Sequence, residues 1–388
     1  MKIIAIVRRN IMNTLFGRYT SVLTATSIAL GMGALCFANP EPAVLSSRVF
    51  TETNAAAGNS ILIYNRSATN GSLTLAQTLP TGGDGNGVLL EAQGAVIVVS
   101  HYLLAVNAGS DTITVANIGT APATVVSTIS SGGITPKSLT AYMDTVYVLN
   151  KGNATGSNGN INGFTLNATT GVLTPIAGST QPLSGMTGPD PTQIGFTVNG
   201  HSLLVAEKDV SLIDVYAVNA SGVAGPPTTY SSHAPNPYGF AVGQQSRIFM
   251  TEANAAAPFA SSVSSYSIST SHVPDLISAS VSTGQSAVCW AAVNSANTFL
   301  YVTDNESATI SVYSVDSSGH ITLIPGFNVA TPGGPFDIAI SSDQKNVYVL
   351  YESPTNEIIT YTINSNGSLT PGAGAALPSN ASTGLVVR

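Results

Sequence analysis

Charged side chains are scarce in this chain. Of its 388 residues only 12 are Lys or Arg and 19 are Asp or Glu, 8% in all, against 44% hydrophobic. That excludes long solvated helices, whose outer faces need Glu, Lys and Arg, and the apolar content excludes a disordered polymer. Four of the cations (Lys2, Arg8, Arg9 and Arg18) fall within the first 18 positions. The remainder forms no basic surface, so nucleic acid is not an expected partner. Cysteine is nearly missing too. Only Cys36 and Cys289 are present, and with Cys36 in a segment expected to be removed, no internal disulfide can staple the fold. The five histidines (His101, His201, His233, His272 and His320) stand singly, without ligand spacing. No metal site and no cofactor are expected.

Long apolar runs occur in one place. Residues 21–38, "SVLTATSIALGMGALCFA", follow the charged start and end in Cys36-Phe37-Ala38, which approximates a small-x-small cleavage site before Pro40. Residues 1–38 therefore read as an export signal, with an uncleaved membrane anchor as the alternative. No transmembrane segment is expected beyond it. The mature chain, 39–388, is expected to be one domain, secreted or periplasmic in the cell envelope, and monomeric.

What the body does contain is a repeated phrase. Val146-Tyr147-Val148-Leu149-Asn150, Leu203-Leu204-Val205-Ala206-Glu207, Leu300-Tyr301-Val302-Thr303-Asp304 and Val347-Tyr348-Val349-Leu350-Tyr351 are variants of one strand. Each is followed by a turn, a second alternating run, and a third such as Gly367-Ser368-Leu369-Thr370-Pro371. A loop rich in Gly and Pro then leads to a fourth run such as Phe336-Asp337-Ile338-Ala339-Ile340. Val, Ile, Tyr and Thr broken by Gly, Asn and Pro spell short strands. The phrase begins near Val49, Leu103, Val146, Leu203, Ile248, Leu300 and Val347. A spacing of about 50 residues is that of propeller blades. The final Leu385-Val386-Val387-Arg388 lacks a following strand, and the first run at Val49 lacks a preceding one. Together they complete one blade. The expected fold is all-β: a seven-bladed β-propeller of four-stranded antiparallel blades, closed by pairing of the N- and C-terminal strands.

The run Tyr301-Val302-Thr303-Asp304-Asn305, "AVNAGSDTITV" at 105–115, "SSDQKNVYVLYE" at 341–352 and "GSLTP" at 367–371 resemble the seven-bladed lactonase-like propellers. That family includes bacterial 6-phosphogluconolactonase and fungal carboxymuconate cyclase. The resemblance spans the mature chain and implies a hydrolase or cycloisomerase that opens or forms a lactone ring of a small organic acid or sugar acid. It also implies Arg and His at the start of the inner strands, a pattern not evident here. Pro136-Lys137-Ser138, Pro191-Thr192, Pro237-Tyr238, Ala287-Val288 and Pro335-Phe336 contain one cation, Lys137. The alternative is a non-catalytic propeller that binds a glycan, peptide or cell-envelope component.

Propeller topology puts the turn after each second strand and the loop before each inner strand on one face. The first set brings Asn54, Asn107, Asn150, Glu207, Glu252, Asp304 and Glu352 to that face. The second brings Asp84, Lys137, Asp190, His233, Asn236, Trp290 and Asp337. Asn and Asp favour turns for their own backbone bonds, whereas Glu is a poor turn former. Glu207, Glu252 and Glu352 are accordingly candidates for a general base, with Lys137 or His233 polarising a carbonyl. Asn107, Asn150, Lys208, Trp290, Asp304 and Asp337 are candidate contacts for a small-molecule or glycan ligand at the mouth. "GGDGNG" at 82–87 lacks the following Lys and helix of a phosphate loop.

Overall fold

The second strand of each repeat is mainly apolar because both of its faces are covered by neighbouring sheets. Tyr102–Asn107, Ser202–Glu207 and Asn346–Tyr351 are buried at every position. The outermost strands alternate instead, as Thr124–Ser130 does, with one face on the neighbouring blade and one in solvent. A computed structural model of the chain describes residues 47–153, 158–351, 354–378 and 380–388. The expected signal at 1–38 and the candidate Glu352 lie outside the described residues.

The strands form seven antiparallel sheets. Their inner strands are Val96–Val99, Pro136–Tyr142, Pro191–Phe196, Pro237–Gly243, Val288–Val293, Pro335–Ile340 and Thr383–Val387, taken as blades 1 to 7. Each inner strand packs against the next, and the last against the first, so the ring is closed. In blades 2 and 5 the outer strand is broken into two short pieces, Leu173–Pro175 with Gln181–Pro182 and Ile321–Leu323 with Val329–Ala330. The seven-bladed reading of the repeat holds.

Closure is as the two orphan strands require. Thr383–Val387 pairs antiparallel with Arg48–Glu52, Val49 opposite Val387 and Phe50 opposite Val386. The ladder ends with Arg388 N–H donating to the Arg48 carbonyl at 2.9 Å. The recurring tyrosine of the second strands latches blade to blade. Tyr147, Tyr301 and Tyr348 donate their hydroxyls to the carbonyls of Gly222, Gly367 and Gly71 in the next blade. The turn must be glycine for two reasons. Gly367 sits at φ 86°, and an added Cβ would lie 2.3 Å from the Phe299 ring.

Candidate functional site

Inner strands begin with an irregularity. In blades 2 to 6 the pairing with the second strand slips directly after the first residue, between Pro136 and Ser138, Pro191 and Gln193, Pro237 and Phe240, Val288 and Ala291, and Pro335 and Asp337. A bulge re-aims the side chain it displaces. The displaced positions carry Lys137, Thr192, Tyr238, Cys289 and Phe336.

Three lysines converge on one carboxylate. Asp190, just before the inner strand of blade 3, has Lys151 Nζ at 2.5 Å and Lys137 Nζ at 3.5 Å from Oδ1, and Lys208 Nζ at 2.9 Å from Oδ2. Lys151 ends the second strand of blade 2, and Lys208 follows that of blade 3. Lys208 also donates to Glu91 and lies 5.1 Å from the centroid of the Tyr238 ring. The Tyr238 hydroxyl meets the same Glu91 carboxylate. Burial pushes the Asp190 carboxyl up, but Lys137 with Lys151 and Lys208 outweighs it and holds the group far below the usual carboxylate range. Lys137 is 1% exposed, and burial, only partly offset by Asp190, brings its ammonium down to about 8. Burial lowers Lys208 too, but Glu91 and Asp190 more than reverse it.

Glu91 comes from a strap that no other blade has. Residues 81–95 join the outer strand of blade 7 to the inner strand of blade 1, where the next junction needs only 131–135. The strap is tied along its length. Asn54 donates to the Val88 carbonyl and to Asn86 Oδ1, and accepts from Asn86 N–H. Leu90 is buried in the core of blades 1 and 2. Gln93 Nε2 donates to the Ala291 and Ile338 carbonyls on blades 5 and 6, while its own carbonyl accepts from Ser138 of blade 2. Gln93 therefore crosses the channel. It also lines a cavity of about 400 Å³ among the inner strands of blades 1, 2, 3, 4 and 7. "GGDGNG" is the start of this strap, and its Gly85 lies flush against the Asn54 backbone.

Residues 49–181 match the family described as "Lactonase, 7-bladed beta-propeller". The chain is a seven-bladed propeller that matches this lactonase family over those residues. Among solved structures it is similar to a protein from Lactobacillus plantarum (TM-score 0.69, 18% identity, covering 87% of this chain and 98% of that one). It is also similar to a Bacteroides fragilis NCTC 9343 protein provisionally named a 6-phosphogluconolactonase (0.64, 16%, 88% and 98%). A third is the periplasmic gluconolactonase of Pseudomonas aeruginosa (0.56, 16%, 86% and 83%). These likenesses establish the fold. No curated protein matches the chain.

Of the candidate site residues in this propeller, Lys137 and Lys208 stand in the lysine cluster. Trp290 is fully buried behind it, edge-on to Tyr238 with ring centroids 4.9 Å apart. Most of the others face into the blades. The strand ends that the repeat pattern puts at Asn54 and Glu352 lie at Glu52 and Tyr351. With Asn107, Asn150, Glu207, Glu252 and Asp304 they form one structural position, wholly buried in every blade. Its side chain bonds to the third strand or an adjoining loop. Asn107 donates to Thr112 and Thr114, Asp304 accepts from Thr309 and Ser311, and Glu252 accepts from Ser262, Ser264 and Ser280. Asn150 donates to Asn160, and Glu207 accepts from Ser184. Glu207 and Glu252 share no partner. The like charge beside Glu207 is Asp214 of the third strand, which burial and then Glu207 push up to about 7.

His233 turns to the rim of blade 4, its Nδ1 2.7 Å from Ser280 Oγ on the outer strand. Asp337 is buried, with Oδ1 accepting Ile338 N–H. Cys289 donates to the Ala287 carbonyl, and burial pushes its thiol well up, away from nucleophilic use. Among the described residues no group of His, Cys, Asp and Glu is arranged to hold a metal ion. Glu91, Gln93 and Lys151 escaped the sequence reading. The one local signal for the first two was the unusual length of 81–95.

Proposed function

We propose that the mouth hydrolyses the lactone of a small organic acid. The observation that carries this is the buried ammonium of Lys137. Desolvating it costs several kcal/mol, and the equivalent positions of blades 5 and 6 serve packing with Cys289 and Phe336 instead. A buried ammonium grouped with further charged side chains in a cleft is the arrangement that acid–base chemistry at a carbonyl uses.

In this mechanism the lactone carbonyl lies against the Lys137 and Lys151 ammonium groups, which take up charge as its oxygen becomes an oxyanion. Glu91 removes a proton from water as the water oxygen bonds to the carbonyl carbon. The ring C–O bond then breaks, and Lys137 gives its proton to the departing alkoxide; the hydroxy acid so formed returns its carboxyl proton to the Lys137 amine and leaves as the carboxylate, while Glu91 releases the proton it took to solvent. Asp190 holds the three ammonium groups together without itself accepting a proton, since its carboxyl is kept ionised. An acid that titrates near 8 is well matched to neutral pH.

Turnover of δ-valerolactone, followed by pH-stat and corrected for the uncatalysed rate, should fall as pH rises through about 8, where Lys137 loses its proton. Lys137→Met should lower kcat by about 10²–10⁴ and abolish that limb. Binding of a hydroxy carboxylate without any lactone turnover would replace this reading with a non-catalytic binding propeller.

We also propose that residues 1–38 direct export and are removed, on the charged start and the small residues before Asn39. N-terminal sequencing of the exported protein should begin near Asn39. A sequence beginning at Met1 would show a retained anchor.

A further inference from the structure

Beside the lysine cluster is a cavity of about 300 Å³ lined by Lys137 and Lys151, by Val88, Leu89 and Leu90 of the strap, and by Asn86, Thr135 and Asn153. Leu90 belongs to the core of blades 1 and 2, but Val88 is 61% exposed and Leu89 40%. Much of both residues stays in solvent. Hydrogen bonds fix the backbone that carries them. The Val88 carbonyl accepts from Asn54, its N–H donates to Asn86, and Asn86 is itself fixed by Asn54. Beside Lys137 and Lys151, Val88 and Leu89 give the cavity an apolar flank.

We propose that this cavity selects lactones bearing an unbranched alkyl chain, with the ring carbonyl at Lys137 and Lys151 and the chain laid along Val88 and Leu89. The inference rests on the lactone-hydrolase reading of the same mouth and names its substrate class. A sugar lactone would set hydroxyls beside Val88 and Leu89, which offer them no hydrogen-bond partner. An alkyl chain instead removes both its own apolar surface and that of Val88 and Leu89 from water.

The test is a series of γ-lactones from γ-butyrolactone through γ-hexalactone and γ-octalactone, run beside δ-gluconolactone. Each added methylene should raise kcat/KM by about threefold to fourfold until the cavity is filled. The Val88→Ser, Leu89→Ser double variant should flatten that slope. A flat series in the unaltered protein, or δ-gluconolactone as the best substrate, overturns the alkyl selectivity and leaves lactone hydrolysis standing. If no lactone is turned over, hydrolysis fails and calorimetry with the matching straight-chain 4-hydroxy carboxylates decides the selectivity by itself. Affinity that grows with chain length and is flattened by the double variant upholds it, and affinity independent of length overturns it.

Discussion

Asp304 shows how a single buried position shapes the pH response of the whole protein. Burial pushes its carboxyl up to about 7 against the opposing hydrogen bonds of Ser311 and Thr309. Burial likewise raises Glu52 and Asp337 well above the usual range. Groups whose folded pKa is raised favour the native state below the unfolded pKa, and that contribution is lost as pH climbs through the folded value. Stability should therefore decline between pH 4 and pH 7. Blades 1 and 2 carry Asn107 and Asn150 at the same position, which shows that a neutral amide fits there. Asp304→Asn should accordingly stabilise the protein by on the order of 2 kcal/mol at pH 8, with the gain gone by pH 4. Urea unfolding at the two pH values measures it, and a loss at pH 8 would contradict the account. Lys137 has the opposite sign. Its folded value of about 8 lies below the ordinary 10.5, so unaltered protein gains stability between those limits as the ammonium is neutralised. Any lead in melting temperature of Lys137→Met at pH 7 should narrow across the same interval.

The strap is the element on which the site depends. It brings Glu91 over Lys208, stands Val88 and Leu89 beside Lys137, and carries Gln93 across the channel, yet no blade sheet includes it. Glu91 itself sits at φ 49°, a conformation its side chain does not favour and that the ties on either side impose. Gly85 allows the seating, since a Cβ there would lie 2.1 Å from the Asn54 carbonyl carbon. Gly85→Val should lift the strap while leaving the seven sheets intact. The expected result is at least a tenfold loss of kcat/KM with a small change in melting temperature. Trp290, the only tryptophan, precedes the Ala291 carbonyl that Gln93 holds, so its emission should shift to the red as the strap leaves. Unchanged kinetics and emission would show that the strap does not position the site.

At the scale of the molecule, stability rests on the closing of a ring whose ends are far apart in sequence. Val49, Leu385 and Val387 share one buried cluster with Tyr348 and Leu350 of blade 6. Thr51 reaches the Thr383 carbonyl across 332 positions of chain. Removal of residues 385–388 would open blade 7 along its inner edge and expose unpaired backbone at the channel. The truncated protein should melt several degrees lower in a broadened transition and aggregate on heating. A sharp transition at the original midpoint would mean that the clasp contributes nothing.

The blades were legible in the chain because their causes are local. Apolar alternation, Tyr at a fixed place in the second strand, and Gly at the following turn are each specified within a few residues. Seven recurrences with two orphan ends left one arrangement that satisfies every strand edge. The face on which a site would form followed from the same topology, and Lys137 and Lys208 were found on it. The direction of the side chains at that face was not legible. Strand side chains alternate with a period of two, so a one-residue bulge exchanges the mouth for the space between blades. The bulges displace Lys137 and Tyr238 from the regular alternation of the inner strands, while Glu207, Glu252 and Asp304 keep the regular register of the second strands and are buried in the sheets. Nor could the chain announce which partners meet. Lys137 and Asp190 are 53 residues apart, and Lys208 and Glu91 are 117 apart. They come together because ring closure sets neighbouring blades side by side and the strap spans the mouth, and no pattern within a single blade records either.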